Sequence, residues 1–385
     1  MPEFHGNIAS KLPKVGTTIF SIMSGLANEH GALNMAQGFP DFACSPKLID
    51  RVNHYMNAGL NQYAPMPGVL ALREKIAQKT EELYSATYHP ETEVTIVPGA
   101  TLGIYAAISA VVKEGDEVII LEPAYDSYLP AVELNGGRPV FAELKYPNYQ
   151  IDWDEVRKLI TFKTRMIIIN TPHNPTGMAF SALDMQKLQK LTENSDIIIL
   201  SDEVYEHILF EGLEHQSVAR YPKLAERSFI ISSFGKTYHN TGWKMGYCLA
   251  PANLMKEFRK IFQFMAFSVN TPIQYALADH MDDREEYLKL NAFYQGKRDL
   301  FQKALKGSKW KVLPCQGSYF QMLGYEKITH EADQDYARRL VKEHKIAAIP
   351  PSSFYRKGND YHVLRFCFAK EDDTLLRAAE ILQGI

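Results

Sequence analysis

Six short, largely apolar runs recur through the middle of the chain, at 94–97, 118–121, 166–169, 197–200, 229–231 and 246–249. None alternates with polar residues in the way of a strand with one wet face, so each reads as a strand buried on both sides. Between most of them lie segments with helical spacing, such as 102–112 and 183–191. Buried strands separated by helices predict an α/β domain whose sheet is layered between helices.

In such a domain ligands gather at the carboxyl ends of the strands, and here polar residues follow almost every run. Gly99, Ala100 and Thr101 come after the first run, and Tyr125 follows the second within Glu-Pro-Ala-Tyr-Asp-Ser. Asn174 follows the third in an Asn-Pro-Thr-Gly turn, Asp202 and Tyr205 follow the fourth, and Ser233 and Lys236 follow the fifth. Five strand ends thus deliver glycine, phenol, amide, carboxylate, hydroxyl and amine groups toward one rim.

The last hundred residues mix helix-like stretches (287–305, 333–343) with short strands (319–323, 347–349, 362–368) and read as an α+β lobe. The first forty-five are too few to fold alone and are expected to join that lobe. This divides the chain into a large domain, 46–284, and a small one built from both termini, 1–45 and 285–385.

Composition narrows the function. With 46 % hydrophobic and 23 % charged residues, the 385-residue chain has the make-up of a folded globular protein rather than a disordered one. Its 42 basic and 45 acidic residues leave a formal charge of -3, and no stripe of Lys and Arg marks a nucleic-acid partner. An anionic substrate must therefore be held by local groups. Cys44, Cys248, Cys315 and Cys367 are widely spaced, without a CxxC pair, so neither a metal site nor a disulfide framework is expected. No apolar stretch approaches the roughly 18 residues of a membrane helix, and the N-terminal residues lack the pattern of a secretory signal. The expectation is a cytoplasmic protein with no membrane partner.

A lysine that attacks a carbonyl must be partly deprotonated, which requires desolvation or a nearby cation. Lys236, just after a buried strand, could meet that condition, or could be a loop lysine whose stem covers apolar surface. A nucleotide-phosphate loop is excluded, because the pattern ending in Gly235-Lys236-Thr237 needs glycine where Ile230 stands. Asp202 follows an aliphatic strand, where a carboxylate is costly unless it meets a cation or donor. A protonated pyridine would serve, and so would the start of a helix that it caps. Tyr205, about one helical turn on, could face the same ligand or fill the core. Asn174 could bind a ligand or shape its turn. Gly99 to Thr101, at a strand-to-helix junction, offer free N–H groups suited to a phosphate, with Ser233, Lys244 and the Thr101 hydroxyl as further donors.

Taken together, GAT, EPAYDSY, NTPHNPTG, SDEVYEH, SSFGKTYHNTGWKMGY and LRFCFAK occur in an order and spacing that resembles the class I aminotransferases of the fold type I pyridoxal-phosphate enzymes. The resemblance runs from Leu12 to the C-terminus. It is strongest to the branch of kynurenine aminotransferase, glutamine transaminase K and the bacterial methionine aminotransferases, marked here by QGFPDF, NQYAP and RFCFAK. It implies a mostly parallel seven-stranded sheet between helices, beside a smaller α+β domain.

It further implies that Lys236 is the Schiff-base lysine of pyridoxal 5'-phosphate, that Asp202 pairs with the pyridine nitrogen, and that Tyr205 and Asn174 bind the ring hydroxyl. Tyr125 would stack on the ring, while Gly99, Ala100, Thr101, Ser233 and Lys244 would hold the phosphate. Tyr63 would reach the phosphate of a neighbouring subunit in a homodimer with shared active sites. Arg365 would clamp the substrate carboxylate, with Asn174 and the Gly38 N–H beside it. The implied reaction moves an amino group from an amino acid to a 2-oxo acid, with pyridoxamine phosphate between two half-reactions.

Residues 261–283 hold no arginine for a second carboxylate and offer Phe262, Phe264 and Phe267 instead. With Phe20, Tyr63, Tyr125 and Phe354 they predict an uncharged aromatic pocket for methionine, glutamine, phenylalanine, tyrosine or kynurenine. A carbon-sulfur β-lyase on the same scaffold is the alternative.

Overall fold

The computed structural model describes residues 2–385. Seven strands form one sheet in the spatial order Val94–Val97, Gly246–Leu249, Ser228–Ser233, Ile198–Asp202, Thr164–Asn170, Glu117–Glu122, Arg138–Glu143. Neighbours run parallel except at Gly246–Leu249, which is antiparallel to both of its partners. Every residue of Val94–Val97, Gly246–Leu249, Ser228–Ser233 and Ile198–Asp202 is buried, which accounts for their lack of alternation.

The seventh strand, Arg138–Glu143, has no apolar signature because it lies at the edge. Most of its residues are only partly covered, and an edge position tolerates Pro139. Register levels the strand ends that matter: Asn170 lies opposite Asp202, and Asp202 opposite Ile231, two residues before Ser233. The helix Ala100–Val111 opens directly from the first strand through Gly99, whose φ of 84° suits glycine.

In the C-terminal part, Phe320–Gly324 is the middle strand of an antiparallel sheet between Val363–Cys367 and Lys311–Val312. Its register sets Arg365 across from Met322. The helices Leu290–Ala304 and Asp372–Gln383 pack together nearby. Near the N-terminus, Leu33–Asn34 pairs in parallel with Ile346–Ala347, whereas the helix Pro46–Asn57 packs on Thr271–His280. No helix among the described residues is long and apolar enough to cross a membrane. The four cysteines are unpaired, and no cluster of potential metal ligands occurs among the described residues.

Candidate active site

A cavity of about 310 Å³ opens at the carboxyl ends of the parallel strands and extends under the C-terminal sheet. Its lining includes Gly99, Ala100, Thr101, Tyr125, Asn174, Asp202, Tyr205, Ser233, Lys236 and Lys244 from the large part of the chain. Phe20, Gly38 and Arg365 reach it from the two termini. Residues more than three hundred apart in sequence therefore share one chamber.

The Lys236 side chain leaves a four-residue helical turn, Phe234–Thr237, just beyond the buried Ser228–Ser233 strand. Its amine donates to the Gly38 carbonyl at 2.9 Å and to the Tyr319 hydroxyl at 2.7 Å. Burial pulls this amine down to about 8, with Arg365 and Lys244 acting in the same direction and Cys367 and Asp202 against it. A neutral amine is thus within reach near neutral pH, which the reading of Lys236 as a nucleophile requires.

Asp202 ends the Ile198–Asp202 strand and is not a helix cap; a turn follows it. Its Oδ2 accepts from the Tyr128 hydroxyl at 2.6 Å, and its backbone carbonyl accepts from Asn170 Nδ2 at 2.8 Å. Burial pushes the carboxyl up to about 6, against the opposing pull of Tyr128 and the Val204 N–H. A cation brought against Asp202 would relieve that cost.

At the other end of the cavity, Gly99 begins the helix and leaves its first-turn N–H groups facing the space. A Cβ on Gly99 would come 3.0 Å from Lys244 Cε and 3.1 Å from its Nζ, so the lysine lies directly over the glycine. Helix N–H groups, the Ser233 hydroxyl and a lysine make an anion cradle.

Arg365 is fully buried. Its Nη1 donates to Asn174 Oδ1 and its Nη2 to the Ala36 carbonyl, both at 2.8 Å, while Nε has no partner. The Phe320 ring lies 3.9 Å from the guanidinium carbon, with Phe20 and Phe354 at 5.2 and 5.6 Å. Burial lowers the guanidinium to about 10, still cationic at neutral pH. A buried cation with an unmet donor is suited to an incoming carboxylate.

Not every anticipated residue lines the chamber. Phe354 packs against Phe20 and flanks Arg365 without lining the cavity. Tyr63 and Phe267 touch each other edge-on outside it and are 81 % and 54 % exposed. Within one chain, then, these two are surface residues.

Tyr128, Asn170, Gln37, Tyr319 and Phe320 carry no role in the sequence reading, yet they line the cavity or hold the groups that do. Tyr128 and Asn170 both sit inside recognised motifs, EPAYDSY and NTPHNPTG. Beneath Tyr205, the buried Glu206 carboxylate gathers Lys79, Tyr84, Ser232 and Tyr247. These contacts tie the helix Leu70–Tyr84 to the strands Ser228–Ser233 and Gly246–Leu249.

The chain matches the family described as aminotransferase class I and II over residues 31–382. It is 48 % identical over 377 residues to a methionine aminotransferase of Escherichia coli (strain K12), covering 98 % of each chain. It is 32 % identical to human kynurenine–oxoglutarate transaminase 1, with 93 % of each covered. A solved Escherichia coli structure, described as identifying a methionine aminotransferase function, superposes with a TM-score of 0.97 at 47 % identity, over 98 % of this chain and all of that one.

Proposed function

The chain belongs to the class I and II aminotransferases, and on that premise we propose that it uses pyridoxal 5'-phosphate to transfer the amino group of a neutral or aromatic L-amino acid to a 2-oxo acid. The observation that carries this reading is the buried Lys236 amine, poised near 8 in the same chamber as the Asp202 carboxylate and the Arg365 fork. Methionine is the preferred donor in this reading, with glutamine, phenylalanine, tyrosine and kynurenine behind it.

The residues present fit the cofactor. A carboxylate whose burial is relieved by a cation suits the pyridine nitrogen, and the glycine cradle under Lys244 would be filled by a Cβ but admits a phosphate. When bound, the cofactor supplies a carbonyl carbon that takes up the amino group and a ring that receives the electrons of the broken Cα–H bond. Asp202 would hold the ring's cation, and Ser233, Lys244 and the Gly99–Thr101 backbone would hold the phosphate. Tyr125 would lie against the ring, and Tyr205 and Asn174 would bind its hydroxyl.

Arg365 would grip the α-carboxylate through its unpartnered Nε and its buried charge, which would orient the Cα–H bond. Lys236 would act as the base that takes the proton from Cα and holds it at Nζ. Besides Lys236, Lys244 and Arg365, no cationic side chain lines the cavity among the described residues, which favours uncharged substrate side chains. Such a pocket discriminates weakly between apolar substrates.

The protein acts as a homodimer in this reading: the exposed Tyr63 and Phe267, 5.4 Å apart, complete the site of a second copy. The two lobes meet near residues 45 and 285. A cytoplasmic setting agrees with four unpaired cysteines.

The test is a half-reaction. Purified protein loaded with pyridoxal phosphate is given methionine without any acceptor, and the 2-oxo acid of methionine is measured against protein. One equivalent per chain is expected. No oxo acid from any of the five donors would overturn the substrate reading, and continuous pyruvate and ammonia from a cysteine conjugate without acceptor would favour the lyase.

A further inference from the structure

The Lys236 amine is met by a group from a distant segment. Tyr319 is fully buried just before the Phe320–Gly324 strand, and its hydroxyl lies 2.6 Å from the Gly38 carbonyl and 2.7 Å from Lys236 Nζ. A carbonyl can only accept, so the phenol proton goes to Gly38 and the phenol oxygen is left to accept from the lysine. Three segments far apart in sequence thereby close a triangle of hydrogen bonds around one amine.

We propose that Tyr319 is a positioning residue that holds the uncoupled Lys236 amine and sets how readily it gives up its proton. The proposal rests on the reading of Lys236 as the reactive amine and extends it to a residue outside the large lobe's motifs. Tyr319 can fill this role because its own proton is committed. Burial holds its phenol well above the ordinary range, so it stays a neutral acceptor at any working pH.

Other groups act on the amine from every side: Asp202, Cys367, Arg365 and Lys244 through their charges, and the Tyr205 ring at 5.8 Å. Among the described residues, Tyr319 is the one side chain hydrogen-bonded to Nζ. Its oxygen favours the ammonium form, opposing burial. Removing that oxygen should let the proton leave at lower pH.

The experiment uses the full-length chain stripped of cofactor. Acetic anhydride labelling of Lys236 is followed by mass spectrometry across pH, which reads the amine itself rather than turnover. Tyr319→Phe keeps the ring, and a thermal melt checks the fold. The labelling midpoint is expected about one pH unit lower than in the unmodified chain, the effect of losing one charge-assisted hydrogen bond. Tyr294→Phe, whose ring packs on Tyr319 and whose hydroxyl has no partner, should leave the midpoint in place.

If the phenylalanine variant does not fold, 3-fluorotyrosine placed at position 319 keeps the shape with a weaker acceptor and should move the midpoint the same way by less. An unchanged or raised midpoint in a folded variant overturns the proposal. Failure of borohydride to fix pyridoxal phosphate onto Lys236 in the unmodified protein would instead sink the reading of Lys236 on which it rests.

Discussion

Asn174 and Arg365, 191 residues apart in sequence, meet inside the protein, where the guanidinium Nη1 donates to the Asn174 Oδ1 at 2.8 Å. The contact joins the turn after the Thr164–Asn170 strand to the Val363–Cys367 strand of the other sheet. It aims a buried cation into the chamber with one donor, Nε, still unmatched. This hydrogen bond, with those from Lys236 to Gly38 and Tyr319, ties the strand ends of the large sheet to the terminal segments.

Arg365→Lys should separate substrate binding from cofactor binding. A lysine keeps the charge but loses the planar fork, so KM for the amino acid is expected to rise about a hundredfold, or about 3 kcal/mol. Pyridoxal phosphate affinity should stay within a few-fold. Steady-state kinetics beside an absorbance titration measures both, and equal losses would contradict the assigned role.

Gly99→Ala should act at the opposite end. The new Cβ would need φ near 84° and would press on the Lys244 side chain at about 3 Å. Cofactor affinity is expected to fall about tenfold, and inorganic phosphate should compete less well. Isothermal titration of the stripped chain with each ligand provides the reading.

Asp202→Asn should stabilise the stripped protein while removing most activity. The Asp202 carboxyl sits at about 6 when folded against 3.8 as its ordinary value, so the folded chain binds more protons between those pH values. Its contribution to stability therefore declines as pH rises through that window, and the cost persists above it. The variant should gain on the order of 2 kcal/mol at pH 7.5, with the gain gone by about pH 4. Urea melts at the two pH values provide the check.

Lys79→Met should destabilise the chain through a group that does not line the cavity. Burial alone would raise the Glu206 carboxyl, yet Lys79, His207 and Ser232 hold it well below the usual carboxylate range. Lys79 donates to it at 2.8 Å, with both side chains almost fully buried. Removing the lysine strands a buried carboxylate and should cost about 3 kcal/mol or more in a urea melt at neutral pH. Lys79→Met with Glu206→Gln should recover part of that loss.

The half of the site at the ends of the seven-stranded sheet was legible because each of its groups follows a strand recognisable from composition alone. Lys236, Asp202 and Asn174 stand within a few residues of apolar runs, and a parallel sheet brings all such ends to one edge. The edge strand Arg138–Glu143 escaped the same logic, since a strand covered on fewer sides needs no continuous apolar run. Tyr128 lay inside a quoted motif, but nothing local to it signals that its hydroxyl meets Asp202. Phe354, assigned to the substrate as one of a set of aromatics, packs on Phe20 beside Arg365 and does not itself line the cavity.

Six of the seven strands, the rim and the chemical types gathered there were readable from the chain, because burial patterns and strand-end residues are encoded over a few neighbouring positions. Which distant groups complete them depends on the folded molecule. The Arg365 contacts with Asn174 and the Ala36 carbonyl, and the Tyr319 triangle with Lys236 and Gly38, depend on where the terminal segments come to rest against the sheet. The free energy of each such contact is shared by residues hundreds of positions apart, so no local stretch of chain carries its signature.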